Sequence, residues 1–281
     1  MSFAETALLG ALAGFTIFLG LPLGRVRRLD DPARVGLAMF AVGILGFIFV
    51  DVMEHAVGLL EDAVLSYKDG SASLGHAIAF AALLGGGFAI GLGGLATLEN
   101  RLRRRALPPI AGGAVDVASA DFSPRIVSHA RSRALRTGMT IALAIGLHNF
   151  AEGLAIGVSA STGEIALATV LIVGFALHNA TEGLGIVGPL GDVRPSWRWL
   201  LVAGLVGGAP TFLGAMLGYS VDSTPLELAF YALAGGAVLY VIGEIWNGMR
   251  RYGHRELGLW LLSAGFFLGV ATDMVVAYGG G

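Results

Sequence analysis

Two short stretches of this 281-residue sequence carry side chains able to hold a metal ion. One reads His148-Asn149-Phe150-Ala151-Glu152-Gly153-Leu154. The other, 30 residues on, reads His178-Asn179-Ala180-Thr181-Glu182-Gly183-Leu184. His, Asn, Glu, Gly and Leu recur at equivalent places. In an α-helix, residues i and i+4 share a face. His148 with Glu152 therefore makes one two-ligand face, and His178 with Glu182 makes another. The Asn beside each His is offset around its helix and can reach a neighbouring site. Imidazole with carboxylate suits Zn, Fe, Mn or Co. The chain has no Cys, so disulfides and thiolate ligands are excluded.

Each motif lies near the middle of a long apolar run. At the centre of a membrane span an acidic side chain costs roughly 2.5 to 3.5 kcal/mol. No Lys or Arg stands near either Glu within the apolar runs, which leaves a divalent cation as the natural partner. A neutral His–Glu pair that serves only packing is the plainer explanation of one motif. Two copies on consecutive helices weigh against it.

The elements that must position these residues are membrane spans. Hydrophobic residues make up 55% of the chain and charged residues 14%, against about 25% charged in an ordinary soluble protein. A soluble domain could not hide so much apolar surface. Each span needs about 20 apolar residues, and eight can be drawn, at 4–23, 35–60, 74–98, 137–160, 164–188, 198–220, 225–248 and 257–278. The 44 glycines suit close helix packing in lipid. Met1 to Thr6 carries Glu5 and no basic residue, unlike a signal sequence, so the first run is expected to remain as a helix. No connection resembles a soluble unit. A single transmembrane domain is expected over 1–281, with 99–136 as a flexible cytoplasmic loop because its middle is rich in Pro, Gly and Ala.

Charge sets the expected orientation. If both termini lie outside, the connections on the inner side hold 17 of the 18 Lys and Arg, and Lys68 alone falls outside. Positive charge concentrates on the cytoplasmic side of inner-membrane proteins. The outer connections carry Glu61, Asp62, Asp69, Glu164 and Asp222. An acidic face of this kind attracts cations, although loops are commonly polar for solubility alone.

The fourth span then runs outward and the fifth inward, so the two motifs are antiparallel. That implies a pseudo-two-fold axis in the membrane plane, as in many secondary transporters. Ala41-Val42-Gly43 to Asp51 is echoed by Ala234-Gly235-Gly236 to Glu244, with an acid eight residues after Gly in both. The expected fold is an all-α integral membrane protein of eight helices, an inverted repeat of helices 1–3 and 6–8 around a central 4/5 pair. Asp51, Glu54 and His55 fall at i, i+3 and i+4 and are candidate steps of an ion path, with Asp51 also a candidate ligand. Glu244 and Asp273 stand near opposite mouths of such a path. His76, His129 and His254 are lone residues that read as polar surface.

The paired motif, the eight spans with both ends outside and the long inner loop after the third span resemble the ZIP (Zrt-, Irt-like) metal transporter family, its prokaryotic members above all. The resemblance covers essentially the whole chain by topology and is most specific at 148–153 and 178–183. It implies a binuclear-type centre on the fourth and fifth helices, with His148, Asn149, Glu152, His178, Asn179 and Glu182 as ligand positions. It also places Asp51 where family members often have a ligand. Three departures stand out. Ala151 and Thr181 occupy positions before each Glu where Pro is frequent. Ala209 precedes Pro210 where Glu is frequent, which points toward an effectively mononuclear site. The His-rich inner loop of many relatives is reduced to His129.

These readings predict transport of Zn2+ or Fe2+, with Mn2+, Co2+ and Cd2+ as further candidates, toward the cytoplasm through an inner membrane. The metal is substrate, not cofactor. Lipid is the expected surroundings, no nucleic-acid partner is expected, and homodimerisation is left open. A competing reading is an intramembrane metal-dependent hydrolase, which needs an activated water and a general base. No separate nucleophile or oxyanion arrangement adjoins the motifs, and a twofold repeat suits a path better than an asymmetric reaction. A third reading, proton or sodium exchange through the same carboxylates, would show cation flux without transition-metal binding.

Overall fold

The computed structural model describes residues 1–25, 30–106, 122–163, 169–191, 193–221, 223–249 and 252–278. Of the inner-side basic residues counted above, Arg27, Arg28, Arg250 and Arg251 lie outside these residues, as do Glu164, Asp222, the side chain of His129 and the middle of the third connection, 107–121.

Among the described residues, eight α-helices follow one another: α1 (Phe3–Phe15), α2 (Asp31–Lys68), α3 (Leu74–Ala106), α4 (Phe122–Thr162), α5 (Thr169–Val187), α6 (Trp197–Ser220), α7 (Thr224–Met249) and α8 (Arg255–Tyr278). No strand occurs among the described residues. Among the described residues, seven segments are long and apolar enough to cross a membrane. The remaining helix, α5, has 19 residues, about 28 Å at 1.5 Å per residue, close to the thickness of a bilayer core.

Local sequence explains the ends. Ser2 and Glu5 form a reciprocal capping box at the start of α1. Asp30 caps α2 and Ser196 caps α6, each accepting a backbone N–H three residues on. Several boundaries differ from the sequence expectation, and α2 runs past the expected 35–60 to Lys68. The first span is helical only to Phe15 and continues as 3-10 turns over Thr16–Leu19 and Leu21–Arg25, where Gly20 and Pro22 disfavour a continued α-helix. The helices also reach into the stretch expected as a loop, since α3 continues to Ala106 and α4 begins at Phe122. Polar and basic residues at a helix end lie beyond the apolar span, so hydropathy alone does not mark where the helix stops.

The packing follows an inverted repeat in which α1, α2 and α3 correspond to α6, α7 and α8. The α2–α8 contact has its image in α7–α3, α4–α7 in α5–α2, and α4–α6 in α5–α1. The echo between Gly43 and Gly236 falls on this symmetry. A side chain on Gly43 would run into the Leu262 carbonyl of α8, and one on Gly236 into the Phe88 carbonyl of α3. Both positions need Gly so that two backbones can touch. The repeat is imperfect: α5 lies against α8, whereas α4 and α3 share no comparable contact among the described residues.

The core is aliphatic, with Leu45, Ile48, Ile141, Ile145 and Ile186 fully buried around α4 and α5. Large apolar side chains also point outward, among them Ile78 and Ile90 on α3 and Trp260 and Phe267 on α8, an outer surface that a bilayer solvates and water does not. At the arginine-rich end, Arg25 bonds the Pro195 carbonyl and lies 4.6 Å over the Trp197 ring, and Arg131 donates to the Arg194 carbonyl at 3.1 Å. These contacts tie the α5–α6 connection to the 3-10 turns after α1 and to the first half of α4.

Candidate metal centre

Helices α4 and α5 run without a break through the two motifs. His148, Asn149, His178, Asn179 and Glu182 are all buried. In place of the expected Pro, Thr181 turns its hydroxyl back onto the His178 carbonyl at 2.6 Å, a side-chain bond that competes with the helix ladder and favours a slight bend.

Each motif Gly lets its helix press on the backbone of a partner. A side chain at Gly153 would strike the Thr211 carbonyl of α6, and one at Gly183 the Ile17 carbonyl that follows α1. α4 is thereby seated on α6 and α5 on the turns after α1, and donor atoms from the two helices meet at one point. His148 Nε2 lies 3.5 Å from Glu182 Oε1, and His178 Nε2 lies 3.9 Å from the same oxygen. One donor atom from each of His148, His178 and Glu182 lies within 4.8 Å of the others. The Phe47 ring from α2 meets His178 edge-on at 6.2 Å and covers one side.

Several polar atoms here lack hydrogen-bond partners. Both ring nitrogens of His148, Nδ1 of His178 and Oε1 of Glu182 are buried with no hydrogen bond. Buried polar groups are nearly always paired, and each orphan costs about 1 to 3 kcal/mol. A divalent cation seated among these three residues would accept an electron pair from each imidazole and from Glu182 Oε1. The donor set, two N and one O with no sulfur, fits a first-row divalent metal.

The expected pairing of His and Glu along each helix is only part of the arrangement. His148 meets Glu182 across the helix pair, and Glu182 also faces His178 one turn behind it. Glu152 lies outside this group of three. It is partly buried, with Oε2 unpartnered. Asn149 Nδ2, which carries two hydrogens, lies within hydrogen-bond reach of three acceptors, Glu182 Oε2 at 2.8 Å, the Gly207 carbonyl at 3.0 Å and Asn179 Oδ1 at 3.3 Å, while Asn149 Oδ1 is buried without a partner.

The remaining candidates stand apart from the three. On α2, His55 Nδ1 approaches Asp51 Oδ1 at 3.6 Å and the Asp51 carbonyl at 2.9 Å, and its ring stacks on Tyr231 of α7. Asp51 and Asp273 are partly buried, while Glu54 and Glu244 are exposed. Sequence reasoning missed the Gly207 carbonyl and Phe47. A backbone acceptor carries no signature in its residue type, and Phe47 is one phenylalanine among 15. The nearest hint was Pro210, which marks α6 as irregular near Gly207.

Fold and site together define a polytopic helical membrane protein with a buried site suited to a divalent metal. Residues 119–243, which hold both motifs, match the family model described as ZIP Zinc transporter. The chain is 27% identical over 275 residues to Zinc transporter ZupT of Akkermansia muciniphila, covering 95% of this chain and 94% of that one. It is 27% identical over 266 residues to Zinc transporter ZupT of Corynebacterium glutamicum, covering 90% and 94%. Over 135 residues it is 30% identical to Zinc transporter ZIPB of Bordetella bronchiseptica, covering 47% and 43%. The chain is thus similar to ZIP-family proteins, through both motifs by the family model and along most of its length by the relatives, and those relatives are named as transporters and not as enzymes, which goes against the hydrolase reading.

Proposed function

We infer that this chain carries Zn2+ across the inner membrane toward the cytoplasm, with both termini outside. The observation that carries this reading is the convergence of His148, His178 and Glu182, buried between two antiparallel helices with unpaired donor atoms. Zinc is the metal named in the relatives. Fe2+ is the next candidate, since the same ligands accept it, and Mn2+, Co2+ and Cd2+ follow; neutral imidazole and carboxylate discriminate weakly among such ions.

The geometry supports the following working cycle. An ion sheds water as it passes Asp51, Glu54, His55 and Asp273 toward the centre, exchanges that water for imidazole and carboxylate, and leaves past Glu244. The imperfect inverted repeat supports alternating access, in which one half of the repeat closes where the other opens. Glu152 and Asn179 flank the central site and take part in transfer to or from it. Binding requires neutral imidazoles, so protons compete with metal.

The test is uptake by purified protein in liposomes. Zinc should accumulate, with iron, manganese, cobalt and cadmium compared at two pH values, and Glu182→Ala should reduce uptake to that of empty vesicles. Wild-type uptake by Glu182→Ala, or sodium or proton flux without metal binding, would contradict the reading.

A further inference from the structure

A cavity of about 360 Å3 opens at the arginine-rich end of the molecule, between α2, α7 and α8. Among the described residues none of its walls belongs to α4 or α5, so it is separate from the metal centre. Its floor is apolar. Val35 and Met39 of α2 are buried there, and Gly258 of α8 lies so close that a Cβ on it would meet Met39 at 3.1 Å. Its rim is exposed and amphipathic, with Trp246 of α7 and Leu259 and Arg255 of α8. The chain enters α8 through Gly253 and His254, both at positive φ, and this turn brings Arg255 to the mouth. Among the described residues Arg255 is the one charged side chain on the lining, with no acid beside it there to neutralise it. Glu244 and Glu256 are exposed and do not line the cavity.

We propose that this cavity binds an anionic phospholipid from the leaflet at the arginine-rich end, with part of one acyl chain against Val35, Met39 and Leu259 and the phosphate on Arg255. The layers of the cavity match the layers of a lipid. An apolar floor takes hydrocarbon, an indole is favourable at headgroup depth, and a guanidinium pairs two N–H donors with phosphate oxygens. Charge decides the lipid class. A zwitterionic headgroup brings its own cation to the guanidinium, whereas an anionic one does not, and basic pockets between membrane helices take anionic headgroups. The connection from α7 to α8 adds Arg250 and Arg251 in sequence, which raises the local anionic-lipid concentration. The bound lipid braces α2, α7 and α8 against one another at this end. This reading requires a bilayer around the chain and holds whether or not the central site carries zinc.

The test uses full-length protein, delipidated in detergent and titrated with phosphatidylglycerol or with phosphatidylcholine of the same acyl chains. Native mass spectrometry counts the bound lipid. Wild type should bind the first phosphatidylglycerol about fivefold more tightly than phosphatidylcholine, the factor that one basic residue contributes toward anionic lipid. Arg255→Gln should bring the two lipids within twofold. Arg198→Gln removes an exposed arginine at the start of α6, outside the cavity, and should keep the preference. A second measurement locates the lipid. Phosphatidylglycerol brominated on its acyl chains should quench tryptophan fluorescence, and Trp246→Phe should remove the component that saturates with the first lipid. A wild type without preference, a preference that survives Arg255→Gln, or one lost equally in Arg198→Gln would overturn the proposal, the last by showing a diffuse surface charge in place of a site. Saturable quenching unchanged by Trp246→Phe would overturn it too.

Discussion

The motifs on α4 and α5 share the same letters but not the same surroundings. Glu182 is buried, has both histidines beside one oxygen and Asn149 on the other. Glu152 is partly buried, has an unpartnered oxygen and lies outside the group of three. The supports differ too. Gly153 backs onto α6, which is a regular helix apart from Pro210, whereas Gly183 backs onto the 3-10 turns after α1. A sequence repeat therefore fixes equivalent positions without making them chemically equal. In the proposed cycle, one complete site with a second acid nearby gives the ion a place to go.

The largest expected effect separates the two acids. In zinc titrations of detergent-purified protein, Glu182→Ala should abolish saturable binding. Glu152→Ala should bind zinc within about tenfold of wild type, because it flanks the site, and should slow liposome uptake. Equal loss of binding in both variants would break the comparison and favour a symmetric two-carboxylate centre.

The helix contacts come next. Gly183→Ala and Gly153→Ala each place a methyl group against a partner carbonyl, and overpacking of this kind costs about 1 to 3 kcal/mol. Both should lower the midpoint of thermal unfolding in detergent. Gly93→Ala on α3 meets nothing within 4 Å and should leave it unchanged. If Gly183→Ala is as well tolerated as Gly93→Ala, the close approach of α5 to the α1 extension is wrong.

Ligand-linked stability sharpens the contrast further. Zinc at about 100 times its Kd should stabilise the wild type by roughly 2.7 kcal/mol, seen as a higher unfolding midpoint. His178→Ala should lose most of that gain, and His76→Ala, an exposed residue at the start of α3, should keep all of it.

The smallest effects belong to the path. Asp51→Asn and Glu244→Gln should slow uptake severalfold, on the order of the 1 kcal/mol or so that a partly screened charge supplies, with central zinc affinity unchanged. Loss of zinc binding in Asp51→Asn would move Asp51 into the site itself.

Much of this was legible in sequence. Apolar runs long enough to span lipid announced the eight helices, and His at i with Glu at i+4, twice, announced the metal chemistry. Even the echo of Gly43 in Gly236 fell on the real symmetry, because a glycine inside a membrane helix often marks a backbone contact. What was hidden depends on rotation and neighbours. Periodicity tells that His148 and Glu152 share a face of α4, but how far α4 is turned toward α5 decides that His148 meets Glu182. The donor role of Asn149 toward Glu182 and Gly207 needs three helices in register. The break after Phe15 and the extension of α2 to Lys68 lie where hydropathy changes little or no longer matters.

Zinc K-edge X-ray absorption on the zinc-loaded protein addresses the central claim most directly. The account predicts two imidazole nitrogens at about 2.0 to 2.1 Å with oxygen completing the shell, and a single imidazole in His178→Ala. A shell without imidazole, or one unchanged by His178→Ala, would contradict it.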